Sequence, residues 1–152
     1  MNICWQYLDK RGAAIKALKD YGSMRYILAH TDEEISEEKA KSAGIRASVI
    51  DGMPKSPNPS ATENRIVNSL DRIDVLRERY RQAREYMDWF RPAWEELSED
   101  ERFVLEAAYQ SGNGNQSGAV YSICDRYGIE RSSAYNRKNR ALEHLSTLLY
   151  GK

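Results

Sequence analysis

Between Thr62 and Leu97 the apolar residues fall into a heptad pattern. Ile66, Ile73, Tyr80, Met87 and Trp94 recur every seven residues, and Leu76, Ala83, Phe90 and Leu97 fill the position three further on. A seam of this kind predicts a long coiled-coil helix over 62–96, capped by Ser60 or Thr62. Such a helix, on the order of 45 Å long at 1.5 Å per residue, cannot bury its stripe alone. Two partners are open: the N-terminal helix folded back as an antiparallel hairpin, and the same helix of a second subunit. Tyr80 and Trp94 on the seam suit a mixed bundle, which favours the hairpin, with a homodimer as an addition. Pro92 lies inside the pattern and predicts an end or kink near Arg91. Arg65, Arg72, Arg77, Glu78, Arg79, Arg81, Arg84, Glu85 and Asp88 occupy the other faces. Both signs are mixed there, as on a solvated surface laced with intrahelical pairs.

The chain before this seam is less regular. Trp5, Leu8, Ile15, Leu18, Ile27 and Leu28 follow roughly helical spacing, interrupted by Gly12 and Gly22, which predicts a helix from about Ile3 to Leu28 with a break near Tyr21-Gly22. Thr31 or Asp32 is then placed to cap a short acidic helix running through Lys41. Residues 1–42 thus form an N-terminal helical segment. From Ala43 to Ala61, Gly44, Gly52, Pro54, Pro57 and Pro59 among serine and asparagine predict an exposed linker over 43–61. Lys55 is its candidate contact to DNA or polymerase, set against the plainer reading as a spacer.

The last stretch, 97–152, reads as three helices. Ser98 with Glu101 three residues on forms a capping box. Phe103, Val104, Ala107, Ala108 and Tyr109 supply the buried face, and the loop from Ser111 to Gly118 predicts a mobile link. Its GNGNQSG lacks both a following Lys-Ser/Thr and a preceding strand, which argues against a P-loop. Val120, Ile123, Cys124 and Tyr127 then precede Gly128-Ile129, and a longer periodic segment follows. This is the outline of a helix-turn-helix. Gly128 supplies a positive-φ turn, Ile123 and Ile129 share a small core, and Cys124 and Ala134 let two helices cross closely. Ala141, Leu142, Leu145, Leu148 and Leu149 anchor the second helix.

Its outward face collects Arg131, Ser132, Ser133, Asn136, Asn139 and Arg140, the groups that read base edges and hold phosphates. Tyr135 and Arg137 complete the candidate DNA-binding set. Arg137 stands where a branched aliphatic is expected, so either the helix is rotated toward Tyr135 and Lys138, or that arginine lies along the surface.

A resemblance rests on these residues. Leu97-Ser98-Glu99-Asp100-Glu101-Arg102 followed by Val104-Leu105 and Tyr109, then Gly128-Ile129-x-Arg131 and Arg140-Ala141-Leu142-x-x-Leu145, resembles region 4 of bacterial sigma factors. It is closer still to small phage regulators built on that region, the ArpU-like late transcription regulators. In those relatives an N-terminal helical part leads through a Gly-x-Pro loop, here Gly52-Met53-Pro54, into a long helix and the region 4-like domain. The chain departs from the pattern at Arg137 and in the loop 111–118, which is longer than the usual link. The resemblance implies an all-α fold with a helical hairpin followed by a sigma region 4-like helix-turn-helix domain. It further implies double-stranded DNA as partner and contact with RNA polymerase.

Composition adds limits. The chain has 152 residues, 41% hydrophobic and 30% charged, with a formal net charge of zero. That neutrality counts against nucleic-acid binding until its distribution is seen. From Arg126 to Arg140 there are five basic residues against Glu130 alone, while acids gather at Asp32 to Glu38 and Glu95 to Glu101. Local sign governs within a Debye length of about 8 Å at physiological salt. No apolar run is long enough to span a bilayer and Met1 to Lys10 has no signal-peptide core, so a cytoplasmic protein without membrane contact is expected. Cys4 and Cys124 stand apart and predict free thiols with neither a zinc site nor a disulfide framework.

His30 and His144 read as isolated, and no nucleophile-base spacing stands out, so neither an enzyme nor a cofactor is expected. The leading expectation is a sequence-specific DNA-binding transcription regulator of phage type, activating late genes. Two alternatives are a phage protein-interaction adaptor without DNA affinity and a DNA-packaging protein of the small terminase type. The latter would carry its DNA-binding domain at the other end.

Overall fold

The computed structural model describes residues 7–50, 59–111 and 116–152. Among these the fold is all-helical: α1 Lys10–Ile50, α2 Pro59–Glu96, α3 Glu99–Leu105 running on into a π-helical turn Glu106–Gln110, α4 Gln116–Tyr127 and α5 Arg131–Tyr150. Two compact units result, residues 1–23 with 86–152, and residues 24–85.

In the first unit the heptad residues Phe90, Trp94 and Leu97 bury against Ala14, Ala17 and Leu18 of α1, and against Val104, Leu105, Val120, Ile123, Ala134, Ala141, Leu142 and Leu145. Each fully buried Leu, Ile, Phe or Val contributes about 1.5–3 kcal/mol. Tyr21 packs on Phe90 and Trp94 with ring centroids 5.4 and 5.9 Å away, and the Tyr86 hydroxyl donates to the Ala17 carbonyl at 2.5 Å. Burial pushes the Tyr86 phenol well above its ordinary range. Asp9 starts α1 by accepting the Gly12 amide at 2.9 Å, and any side chain at Gly12 would run into that carboxylate.

In the second unit α1 and α2 pack together, with Glu38 of α1 meeting Ser69 and Arg72 of α2. Their interface is largely polar. Ile73, Leu76 and Ala83 are buried, but so are Thr31, Glu38, Ser42 and Ser69, while Ile66 and Tyr80 are only half-buried. The Ser69 hydroxyl lies 3.1 Å from both Glu38 Oε2 and the Glu38 carbonyl, and Arg72 Nε donates to Glu38 Oε1 at 3.0 Å. Burial works to raise the Glu38 carboxyl, but Ser69, Lys41 and Arg72 outweigh it and hold it below the usual carboxylate range.

Several sequence expectations are corrected. α1 runs as one 41-residue helix through Gly22 and Gly44 to Ile50, so there is neither a break at Tyr21-Gly22 nor a separately capped acidic helix. Thr31 instead returns its hydroxyl to the Ile27 carbonyl at 2.5 Å inside the helix. Gly22 costs about 1 kcal/mol against alanine. The packing of Ala17, Leu18 and Tyr21 just before it offsets that cost.

The segment expected as linker is helical up to Ile50 and again from Pro59, a residue suited to a first helical turn. Gly52-Met53-Pro54, Lys55 and Pro57 lie outside the described residues, as do Trp5 and Cys4. α2 continues through Pro92 to Glu96, so it does not end near Arg91. Pro92 is exposed, where water can take the carbonyl freed four residues back, and buried Phe90, Ala93 and Trp94 hold the flanking turns in place. Leu8, expected under the seam, is exposed.

Ser98 and Glu101 form the capping box: Ser98 Oγ accepts the Glu101 amide at 3.2 Å, and Glu101 Oε2 accepts the Ser98 amide at 2.9 Å. His144 is not isolated, since its Nδ1 lies 2.8 Å from Glu101 Oε1. His30 stacks on Tyr26 with centroids 4.0 Å apart. Of the loop expected to be mobile, residues 112–115 lie outside the described residues and Gln116 already begins α4. No helix is long and apolar enough to cross a membrane among the described residues.

Candidate nucleic-acid interface

α4 ends at Tyr127, and the Ile129 amide returns to the Cys124 carbonyl at 3.2 Å. Gly128 between them has φ +59°, the left-handed conformation that favours glycine. Glu130 is extended and precedes α5 without a side-chain hydrogen bond to its first turn. The first amides of α5 are therefore free of that carboxylate, at the end of a helix that favours anions.

Along α5, Ala134, Lys138, Ala141, Leu142, Leu145 and Ser146 face inward. Arg131, Ser132, Ser133, Asn136, Arg137 and Arg140 are exposed, Tyr135 barely so at 37%, and Asn139 is half-buried. Three- and four-residue spacing brings Ser132, Ser133, Asn136, Arg137 and Arg140 onto one face, with Arg131 and Tyr135 beside it. Asn139 is drawn off toward α1, where its Oδ1 accepts Arg11 Nη2 at 2.6 Å.

Both alternatives left open at Arg137 are met in part. Lys138 takes the inward position, only 8% exposed, its ammonium 5.0 and 5.9 Å from the Tyr135 and Tyr109 ring centroids. Arg137 stays outside, its guanidinium 4.5 Å from the Tyr127 ring centroid. A second arginine is held likewise, Arg126 at 4.4 Å from the Phe103 ring, and Phe103 and Tyr127 meet edge to face at 6.0 Å. The Tyr127 hydroxyl donates to Asp100 Oδ1 at 2.8 Å. Burial, then that carboxylate, raise the Tyr127 phenol above its ordinary range.

Three residues beyond the expected set lie in or beside this region, Arg126 and Arg11 exposed and Lys138 turned inward. Arg126 and Lys138 carry sequence signals: the first sits in the turn before Gly128, and the second falls four after Ala134 and three before Ala141. Arg11 carries none, being 128 residues from its partner. Among the described residues no group of three or more His, Cys, Asp or Glu could hold a metal ion, and Cys124 is a free, half-buried thiol. No protein-family model, no curated protein and no solved structure matches the chain.

Proposed function

We propose that the chain is a sequence-specific DNA-binding transcription regulator of phage or prophage type, acting on late genes, with α5 entering a major groove. One observation carries the reading. The exposed face of α5 holds Arg131, Ser132, Ser133, Asn136, Arg137 and Arg140 with no acid until Glu143, on a helix set at its start by a glycine turn from α4. Hydroxyls and free amides at the helix start suit a phosphate, and the carboxamide one turn deeper suits a base edge. The resemblance of the 97–145 motifs to sigma region 4 supports the same reading and adds RNA polymerase as a partner.

The second unit favours an interaction role beside it. Its helix pair leaves Val67, Leu70 and Val75 exposed, which suits pairing of two copies into a homodimer or, in the adaptor reading, recruitment of another protein. Selection of bound duplexes from a random pool with the purified protein tests these together. A recovered motif is expected. Two half-sites about 10 bp apart would add the dimer. Recovery of no motif, with weak binding indifferent to sequence, would leave the adaptor reading.

A further inference from the structure

Lys138 poses a problem that the helix-turn-helix does not solve. Its side chain is buried, yet neither Lys138 nor Arg11 pairs with a carboxylate among the ion pairs of the described residues. Among the described residues the faces of Tyr109 and Tyr135 lie at its ammonium, 5.9 and 5.0 Å from the ring centroids. Burial, and then the charge of Arg11, lower its pKa, and the Arg11 charge also acts on the Tyr109 phenol. Two cations are thus held near one another without an acid between them. The Lys138 ammonium is not among the buried polar atoms left without a hydrogen-bond partner in the described residues, so it reaches solvent, where an anion can approach it and offset the repulsion between the two cations.

Asn139 completes the cluster. Arginine can only donate, so the contact with Arg11 fixes the carboxamide with Oδ1 toward Arg11. The remaining Nδ2 group is a donor. Adenine requires an acceptor and a donor from the same carboxamide. A phosphate oxygen requires only donors.

We infer that Arg11 of α1 and Lys138 and Asn139 of α5 form a phosphate-binding subsite, in which the backbone phosphate of DNA beside the groove supplies the missing negative charge. The inference rests on the DNA reading above and extends the interface to a residue from the opposite end of the chain. Arg11 gives a guanidinium fork, Asn139 an amide donor and Lys138 a point charge at the back. The subsite positions the protein on the duplex and carries no base preference.

The test compares Arg11→Ala and Lys138→Met with the parent chain. Affinity for a selected and an unrelated duplex is measured across salt concentrations, and melting is followed without DNA in a phosphate-free buffer. Each variant should lose affinity for both duplexes alike, roughly eightfold at 0.1 M salt, with the slope of log affinity against log salt falling by about 0.9. Lys138→Met should nonetheless melt higher than the parent, because it removes a partly desolvated charge and its repulsion by Arg11. A residue with a merely structural role would not give that opposition.

If the parent binds duplex and both variants keep its affinity and slope, the subsite is overturned while the DNA reading stands. If the parent binds no duplex at low salt, the DNA reading fails. Inorganic phosphate then decides the subsite alone: a rise in parent melting absent from both variants keeps it as a site for free phosphate, and no rise overturns it.

Discussion

The Arg137 guanidinium lies over the Tyr127 ring, 4.5 Å from its centroid, and the hydroxyl of the same tyrosine donates to Asp100 Oδ1 at 2.8 Å. One aromatic side chain at the end of α4 therefore ties α5 to the first turn of α3. It also orders an arginine on the candidate DNA face, which lowers the entropy that side chain loses on meeting a phosphate.

Tyr127→Phe should separate these roles. The ring and its stacking on Arg137 remain, while the hydrogen bond is lost, so the chain should lose about 0.5–1.5 kcal/mol of stability by denaturant unfolding. DNA affinity measured well below the melting temperature should stay near the parent's. Tyr127→Ala removes both, and should cost affinity as well as stability. A Phe variant with weakened binding at full stability would show that the hydroxyl, not the ring, matters to the interface.

Glu101 makes the first unit sensitive to acid. Burial works to raise its carboxyl, but the Ser98 amide and His144 outweigh it and hold it below the usual range. A carboxyl with a lowered folded pKa contributes stability that is present above the unfolded value, about 4.3. That stability is lost as pH falls from there through the folded value. Glu101→Gln keeps a cap acceptor but cannot ionise, so it should be less stable than the parent near neutral pH and approach it as pH falls below about 4. A difference in melting temperature that stayed constant from pH 6 to pH 3 would count against this.

Gly22→Ala tests the continuity of α1. A methyl group there meets nothing within 4 Å, and the residue lies inside a regular helix. Stability should rise by about 0.4–1 kcal/mol, because the unfolded chain loses freedom and the helix loses nothing. A break at this position would give no gain or a loss.

The contrast at Ile73 is sharper. Its side chain is 4% exposed in the second unit, and Ile73→Asp would put an unpaired carboxylate there at a cost of several kcal/mol. Glu38, also buried, is tolerated because Ser69, Lys41 and Arg72 all serve it. Circular dichroism of Ile73→Asp should show lost helix content, and unchanged helicity and melting would remove the packing of α1 on α2 over this stretch.

These cases mark what was legible in the chain. The seam from Ile66 to Leu97, the capping box at Ser98 and the turn at Gly128 rest on short-range rules of spacing and conformation; the cap and the turn are where those rules place them, and the seam is buried except at Ile66 and Tyr80, which are half-buried. Gly22 and Pro92 break the local rules and still lie in helices, because packing of neighbouring residues outweighs a penalty of about 1 kcal/mol for glycine and 3 for proline. The side of α5 turned inward was partly legible: position 138 follows the 134–141–145 stripe, but a lysine there reads as surface until Tyr109 and Tyr135 are seen around it. Arg11 was not legible at all. No pattern local to α1 marks a residue whose partner lies on α5.

The face itself is tested by two substitutions with different signatures. Arg140 and Asn136 are both exposed on α5, four residues apart, but their chemistry differs. Arg140 offers charge to the backbone, so Arg140→Ala should weaken all duplexes alike and reduce the slope of log affinity against log salt by about 0.9 for one lost phosphate contact. Asn136, one turn in from the helix start, keeps both its acceptor and its donor for a base, unlike Asn139, whose Oδ1 is taken by Arg11. Asn136→Ala should relax preference at one base pair, at a cost of roughly 1–3 kcal/mol on the preferred site, and leave the salt slope as it was. A change in slope without a change in preference would reassign Asn136 to the backbone. If both variants bound the selected site like the parent, Asn136 and Arg140 would not belong to the DNA face, and Arg126 with Arg137 on the aromatic pair Phe103 and Tyr127 would become the residues to mutate next.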